Sequence, residues 1–81
     1  MARRVKSSRV LTVEQVTRLL GERVRAERHR HGFMQAELAE RLGLSANFIA
    51  HLDRGSRRPS LETIVMMASG LRVPVRELFR S

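Results

Sequence analysis

The side chains with the most chemistry to offer lie together in one short segment. Asn47 and His51 are four residues apart, so they share a face if the segment is helical. Asparagine can form two hydrogen bonds with adenine, and histidine can donate one to guanine N7 or to a phosphate. Ala46 and Phe48 stand beside them and can contact a thymine methyl group. This set indicates a surface suited to the base edges of a nucleic acid duplex.

Basic residues surround this set, and the chain as a whole is strongly basic. Arg54, Arg57 and Arg58 follow the histidine closely. Arginines of this kind hold a protein on the phosphate backbone without reading its sequence. The 81 residues carry a formal net charge of +8, with a pI of about 11.8. Nucleic acid is therefore the first partner to consider, and an anionic membrane surface is the second.

Other functional classes fit the sequence poorly. No apolar run is long enough to span a bilayer, so a membrane protein is not expected. The chain has no cysteine, which excludes disulfides and thiolate chemistry and fits a reducing cytoplasm. Ser45, His51 and Asp53 lie in one short segment and cannot converge as a catalytic triad. We therefore expect no enzyme activity, no metal and no cofactor.

Two short helices joined by a tight turn must position the base-reading set. Between Gln35 and Arg54, apolar residues are spaced to bury one face of each helix. Gly43 ends the first helix, because glycine adopts the left-handed conformation of a C-terminal cap at little cost. Ser45 then caps the second helix by accepting a hydrogen bond from a free backbone N–H group. This is a helix-turn-helix pattern, in which the second helix enters the DNA major groove.

The flanking segments predict a compact all-α bundle of five helices. Thr12 and Gln15 have the spacing of a capping box at the start of the first helix. The five helices are expected over residues 13–30, 35–42, 46–54, 61–70 and 74–79. Residues 12–81 then form a single domain, and residues 1–11 form a basic N-terminal arm.

The core-facing positions of the long helices follow from helical spacing. In the first helix they are Val13, Val16, Leu20 and Val24. In the fourth they are Leu61, Ile64, Met67, Ala68 and Leu71. Gly21 permits close approach of a neighbouring helix. Glu27 falls where the first stripe should continue, so it must reach solvent or pair with Arg23 or Arg28.

A series of residues extends in order over about Leu20 to Phe79. It comprises Arg28, Gly32, Gln35, Leu38-Ala39-Glu40, Leu42-Gly43-Leu44-Ser45, Ile49, Asp53-Arg54-Gly55, Pro59-Ser60-Leu61-Glu62, Ala68, Leu71, Val73 and Leu78-Phe79. Together, at these distances, the series resembles the phage-repressor and Cro-like helix-turn-helix family of DNA-binding regulators. It also resembles the small controller proteins of restriction–modification systems.

The resemblance implies a role for each matching position. Gln35 would bond a phosphate and brace the reading helix, and Arg28 and Asp53 would form an ion pair. The positions implied to meet DNA are Gln35, Ser45, Ala46, Asn47, Phe48, His51, Arg54, Arg57 and Arg58. The sequence departs from the family pattern at Met34, where Ser or Thr is usual, at Asp53, where Glu is usual, and at Glu27, where the family has an apolar residue or Ala.

The implied function is sequence-specific regulation of transcription on double-stranded DNA, as a repressor or autoregulator. A homodimer on a palindromic operator is expected, because one reading helix covers few base pairs. Candidate residues of the shared face are Val65, Met66, Val75 and Phe79. Val13 to Leu19 is a rival dimer surface, and Val75 and Phe79 could instead close the monomer core. An antitoxin that binds a protein toxin as well as its own promoter is the alternative function.

Overall fold

The computed structural model describes residues 11–80, and within that range all regular structure is helical. The predicted all-α class is therefore confirmed for this part of the chain. The elements are α1 (Val13–Arg30), α2 (Gln35–Leu42), α3 (Ala46–Asp53), α4 (Leu61–Leu71) and a 3₁₀ helix (Val75–Phe79). Apart from Leu11, the expected basic N-terminal arm lies outside the described residues.

The prediction of five α-helices is wrong in its last element. Residues Val75–Phe79 form a 3₁₀ helix, and Pro74 precedes it in extended conformation rather than within its first turn. The Glu77 backbone N–H donates to the Pro74 carbonyl oxygen at 2.9 Å, an i to i+3 bond. A five-residue segment suits this tighter helix, since 3₁₀ turns are used in short pieces. The described fold is thus four α-helices and one 3₁₀ helix.

The helix starts are set by local capping, as the sequence indicates. Thr12 and Gln15 form the predicted capping box, with bonds of 2.8 and 3.1 Å. Ser45 accepts from the Phe48 backbone N–H at 3.0 Å, and Ser60 from that of Thr63 at 3.1 Å. The predicted ends differ slightly: α3 stops at Asp53 rather than Arg54, and α4 continues to Leu71.

The core draws on all four helices and the 3₁₀ helix. Its buried apolar side chains are Leu20, Val24, Leu38, Ala39, Ile49, Leu52, Met67, Ala68, Leu71 and Leu78. Two predicted core residues are instead exposed, Val13 to 54% and Leu61 to 74%. Each is the first residue of its helix, where the apolar stripe extends past the packed centre of the domain.

Close backbone packing of α1 against α3 depends on Gly21. A Cβ atom added there would collide with the Leu52 carbonyl oxygen and lie 3.1 Å from that of Asp53. Any other residue would therefore push α3 away from α1. The predicted role of this glycine is confirmed, and it fixes the distance at which α3 is held.

Glu27 is buried, with 4% of its surface exposed, and it is neutralised by two arginines. Its Oε2 lies 2.9 Å from Nη2 of Arg23, and its Oε1 lies 2.8 Å from Nη2 of Arg30. Pairing with Arg23 was one predicted option, whereas the other, Arg28, turns toward α3 instead. Arg23 also donates to the Glu77 carbonyl oxygen at 3.1 Å, which joins α1 to the 3₁₀ helix.

Candidate nucleic-acid interface

The orientation of α3 follows from its two faces. Ile49 and Leu52 are fully buried and pack into the core beside Leu38 of α2. Gly43, with φ of +69°, ends α2 and lets the chain reverse into α3. Ala46 and Asn47 are consequently exposed on the far side of the helix from the core.

A buried ion pair ties the end of α3 to the rest of the domain. Asp53 Oδ2 lies 2.7 Å from Nη2 of Arg28 in α1 and accepts from Nε2 of Gln35 in α2 at 3.0 Å. The side chains of Arg28 and Asp53 are only 7% and 6% exposed. We call Arg28, Gln35 and Asp53 the bracing triad. Because it joins three helices at one oxygen, it fixes α3 relative to α1 and α2.

The bracing triad is not fully satisfied. Arg28 Nη1 donates to the Phe33 carbonyl oxygen at 2.9 Å. Arg28 Nε and Asp53 Oδ1, however, are buried without a hydrogen-bond partner in the part of the chain that the structure describes. A buried polar atom without a partner costs about 1–3 kcal/mol. The aspartate, where the resembling family usually has glutamate, thus reaches Arg28 and Gln35 through one oxygen only.

The first turn of α3 leaves one amide uncommitted. Asn47 is exposed, and between residues 11 and 80 no hydrogen bond to its side chain is formed. Ser45 is also exposed, but its Oγ already accepts the Phe48 N–H. The serine hydroxyl hydrogen is left to donate outward. Asn47 can therefore use both its donor and its acceptor on a bound molecule.

His51 lies one turn further along α3 and is half-buried. Its Nδ1 is 3.1 Å from Nη2 of Arg54 and 3.2 Å from Oγ of Ser56. Ser56 is a contact that the sequence interpretation missed. Ser56 lies close to His51 because Gly55 has a φ of +72°. This backbone conformation lets the Ser56 N–H donate to the His51 carbonyl oxygen at 3.0 Å. A glycine just after a helix is the known signal for this cap.

The arginines after α3 are held to different degrees. The Arg57 guanidinium lies 4.9 Å from the centre of the Phe48 ring, a cation–π contact. Phe48 itself is half-buried against the core. Arg58 lies 3.5 Å from Glu14, but both side chains are about 70% exposed, so this pair contributes little. Arg54 is exposed beside His51.

The exposed or half-buried side chains of α3 and of the loop that follows it include three arginines. We define the reading surface as Ala46, Asn47, His51, Arg54, Arg57 and Arg58. Between Leu44 and Arg58 the only carboxylate in the sequence is Asp53. Because that carboxylate is buried in the bracing triad, the segment presents its positive charges without a competing exposed acid of its own.

The start of α2 lacks a side-chain cap, as Met34 in place of the family's usual Ser or Thr predicts. Met34 is 69% exposed, and its side chain forms no cap hydrogen bond. Glu37 Oε1 instead accepts the Met34 backbone N–H at 2.7 Å. Gln35 donates to Asp53, and its second amide hydrogen is free of any contact within residues 11–80. Its observed role is therefore bracing, with one donor left for another partner.

Comparison with known protein families identifies the family to which this domain belongs. Residues 19–80 match the family model described as a helix-turn-helix domain. The chain belongs to the helix-turn-helix family. The resemblance inferred from the residues between Leu20 and Phe79 is thereby confirmed. The matched range includes α2, α3, the bracing triad and every residue of the reading surface.

Individual relatives of this helix-turn-helix domain are regulators. The chain is 36% identical over 58 residues to YazB of Bacillus subtilis, an uncharacterized HTH-type transcriptional regulator, covering 72% of this chain and 84% of that protein. It is 34% identical over 56 residues to the immunity repressor protein of Bacillus phage phi105, covering 69% of this chain and 39% of the repressor. The chain spans about two fifths of the length of that repressor and of two Mycobacterium tuberculosis regulators.

A solved structure of a stand-alone helix-turn-helix protein is also similar. The restriction-modification controller protein C.AhdI from Aeromonas hydrophila superimposes with a TM-score of 0.75 at 35% identity. The match covers 78% of this chain and 96% of the controller protein. The helix-turn-helix fold of this chain is therefore shared along almost the whole length of that small protein.

Proposed function

We propose that this helix-turn-helix domain binds double-stranded DNA sequence-specifically and regulates transcription, as a repressor or autoregulator. The observation that carries the proposal is the uncommitted amide of Asn47 on α3, exposed within a basic surface. The bracing triad supports it, because the triad fixes the helix that carries this amide. Similarity to named regulators, a repressor and a controller protein supports it further.

In the proposed complex α3 lies in the major groove. Asn47 forms paired hydrogen bonds with an adenine, and His51 donates to a neighbouring base. Ala46 and Phe48 lie against thymine methyl groups or the groove wall. The backbone contacts come from Gln35, Ser45, Arg54, Arg57 and Arg58. We further propose that the protein acts in the cytoplasm, is not an enzyme and uses no metal or cofactor.

A homodimer on a palindromic site is part of the proposal. Five exposed apolar side chains support it, and we call them together the apolar face: Leu61, Val65 and Met66, which line one groove on α4, and Val75 and Phe79 of the 3₁₀ helix. The alternative, in which Val75 and Phe79 only close the monomer core, fits less well, since they stay 37% and 41% exposed. The rival surface on α1 is adjacent, because Val13 and Phe79 line one groove of about 360 Å³.

The antitoxin alternative has less support. The relatives named above are regulators, a repressor and a controller protein. No helix between residues 11 and 80 has the length and apolarity to cross a bilayer. DNA remains the partner that the charge and the reading surface favour.

Selection of bound sites from random DNA tests the proposal directly. We expect enrichment of a palindromic or directly repeated site. Failure to enrich any sequence would contradict specific recognition. The matched variant is Asn47→Ala, which should lose about 1–3 kcal/mol of preference for one adenine while keeping its salt dependence.

Salt dependence separates the backbone contacts from base recognition. If each subunit neutralises about four to six phosphates, log K should fall against log salt with a slope of about −4 to −5 per subunit. Arg57→Gln should reduce this slope by about one and weaken binding to all sequences alike. A flat salt response would contradict the proposed role of the arginines.

A further inference from the structure

Two side chains compete for one atom of the His51 imidazole ring. Its Nδ1 lies 3.1 Å from Nη2 of Arg54 and 3.2 Å from Oγ of Ser56. Within residues 11–80, every hydrogen-bond contact of this ring involves Nδ1. Nε2 is the ring nitrogen farther from the helix backbone. It is therefore the nitrogen that His51 can offer to a bound molecule.

The chemistry of arginine decides which form the ring takes. A guanidinium group has only N–H donors and is not deprotonated in proteins. A hydrogen bond between Arg54 and Nδ1 must therefore be accepted by Nδ1, which carries a lone pair and no hydrogen. In the neutral ring the single N–H hydrogen is then on Nε2.

Ser56 does not reverse this assignment. Its hydroxyl donates to the His51 carbonyl oxygen at 3.1 Å, so its one hydrogen is already used. A hydrogen bond between Nδ1 and Ser56 would need a hydrogen on Nδ1, which the Arg54 contact excludes. Ser56 thus offers the ring a second arrangement that becomes favourable only when Arg54 is removed.

We propose that Arg54 is a positioning residue that holds the hydrogen of His51 on Nε2, so that His51 recognises guanine. The DNA part of this inference rests on the proposed function. In the major groove guanine presents two adjacent acceptors, N7 and O6, whereas adenine has an amino donor beside N7. An Nε2 donor therefore prefers guanine. With the hydrogen on Nδ1 instead, Nε2 would be an acceptor and would prefer the amino group of adenine or cytosine.

The hydrogen position can be measured on the free protein. A two-bond ¹H–¹⁵N correlation spectrum at about pH 8.5, where imidazole is ordinarily neutral, separates protonated from unprotonated ring nitrogens. We expect an unprotonated Nδ1 in the wild-type protein and a shift toward protonated Nδ1 in Arg54→Met. A protonated Nδ1 in the wild type, or identical spectra for the two proteins, would overturn the assignment.

Arg57→Met is the matched control for this measurement. It removes the same charge from the same loop, and its guanidinium contacts Phe48 rather than His51. We expect the His51 ring form to be unchanged in this variant. If Arg57→Met shifts the hydrogen as far as Arg54→Met does, general charge rather than the Arg54 contact sets the ring form, and the positioning role is wrong.

A site selected from random DNA then tests base recognition. Replacing each guanine in turn with 7-deazaguanine removes the N7 acceptor and keeps base pairing. We expect one replacement to weaken wild-type binding about 3- to 10-fold, the contribution of one hydrogen bond, and to leave His51→Ala unaffected. If no replacement behaves this way, the guanine assignment is wrong while the DNA-binding proposal stands. If no site is selected at all, the proposed function fails, and the NMR comparison still decides the role of Arg54.

Discussion

The reading surface and the apolar face differ in how their side chains are held. On the reading surface, Arg54 is placed against His51 at 3.1 Å and Arg57 lies over Phe48 at 4.9 Å. Beneath it, the bracing triad fixes α3 through buried bonds of 2.7 and 3.0 Å. On the apolar face, Leu61 and Val65 project into solvent with 74% and 51% of their surface exposed.

The two faces place different requirements on the rest of the molecule. A polar side chain that will bind a ligand loses rotational freedom on binding, so ordering it beforehand lowers the cost. An apolar side chain gains only when it leaves water, at about 25 cal/mol per Å². The side chains of the reading surface can therefore be ordered within one chain, whereas the apolar face would gain stability only in the proposed dimer.

The largest expected effect comes from breaking the bracing triad. Asp53→Ala leaves the buried Arg28 guanidinium without its carboxylate, and breaking a buried pair in this way costs about 3–5 kcal/mol. That is a large share of the roughly 5–15 kcal/mol typical of a folded domain. We expect urea unfolding, followed by circular dichroism, to show this loss in the free energy of unfolding.

The matched control replaces both charged members of the pair. The double variant Arg28→Met with Asp53→Leu removes the unpaired charge and the two unsatisfied atoms together. It also leaves the Phe33 carbonyl oxygen and one Gln35 N–H without their partners, so we expect part of the lost stability to return. A loss below about 1 kcal/mol for Asp53→Ala alone would contradict the idea that a buried pair holds α3.

The next largest effect concerns the spacing of α1 and α3. Gly21→Ala places a Cβ atom against the Leu52 carbonyl oxygen, where rigid backbone must move. Overpacking of this kind costs about 1–3 kcal/mol, which outweighs the gain of about 1 kcal/mol from alanine's helix propensity. We expect a lower free energy of unfolding and weaker DNA binding, because α3 shifts.

Gly70→Ala is the control for Gly21→Ala, since both glycines lie within helices. At Gly70 the added Cβ would lie 2.8 Å from Leu42 Cδ2, the end of a side chain that can rotate away. We expect its free energy of unfolding to stay within about 1 kcal/mol of the wild type. Equal losses for both variants would show that the α1–α3 contact is not specially tight.

The third prediction tests the apolar face. Val65→Glu should leave the monomer fold within about 0.5 kcal/mol of the wild type, because the side chain is already exposed. In the proposed dimer it buries a charge, and we expect at least a tenfold weaker dimer, about 1.4 kcal/mol. Sedimentation equilibrium measures this change. Val13→Glu is the matched variant on the rival surface, and the variant with the larger effect identifies the interface.

Local features of this fold could be predicted from the sequence alone. The caps at Thr12 and Ser45 depend on residues three positions apart, so the chain itself contains the information. The same holds for Gly43, whose left-handed backbone ends α2. The ion pair between Arg28 and Asp53 required the family resemblance, because its partners are far apart in sequence.

Features that depend on tertiary distance were predicted less well. The exposure of Val13 and Leu61 depends on where neighbouring helices end, which helical spacing does not reveal. The 3₁₀ form of residues 75–79 depends on the i to i+3 bond between Glu77 and Pro74, which apolar spacing does not reveal. For the candidate site, the Ser56 contact required the loop geometry, and the DNA roles of Asn47 and His51 stay predictions.

The smallest expected effect concerns how one arginine of the reading surface is held. Phe48→Leu keeps an apolar side chain against the core but removes the ring that lies 4.9 Å from the Arg57 guanidinium. An exposed cation–π contact contributes about 0.5–1 kcal/mol, so DNA affinity should fall about two- to fivefold. Measuring the affinities of Phe48→Leu, Arg57→Met and the double variant isolates the pairwise contribution. If the losses of DNA affinity in the two single variants simply add, the ring does not order Arg57. The side chains of the reading surface would then be no better ordered in the free protein than those of the apolar face. If the double variant loses no more than Arg57→Met alone, the ring acts only by holding this arginine in place before DNA arrives.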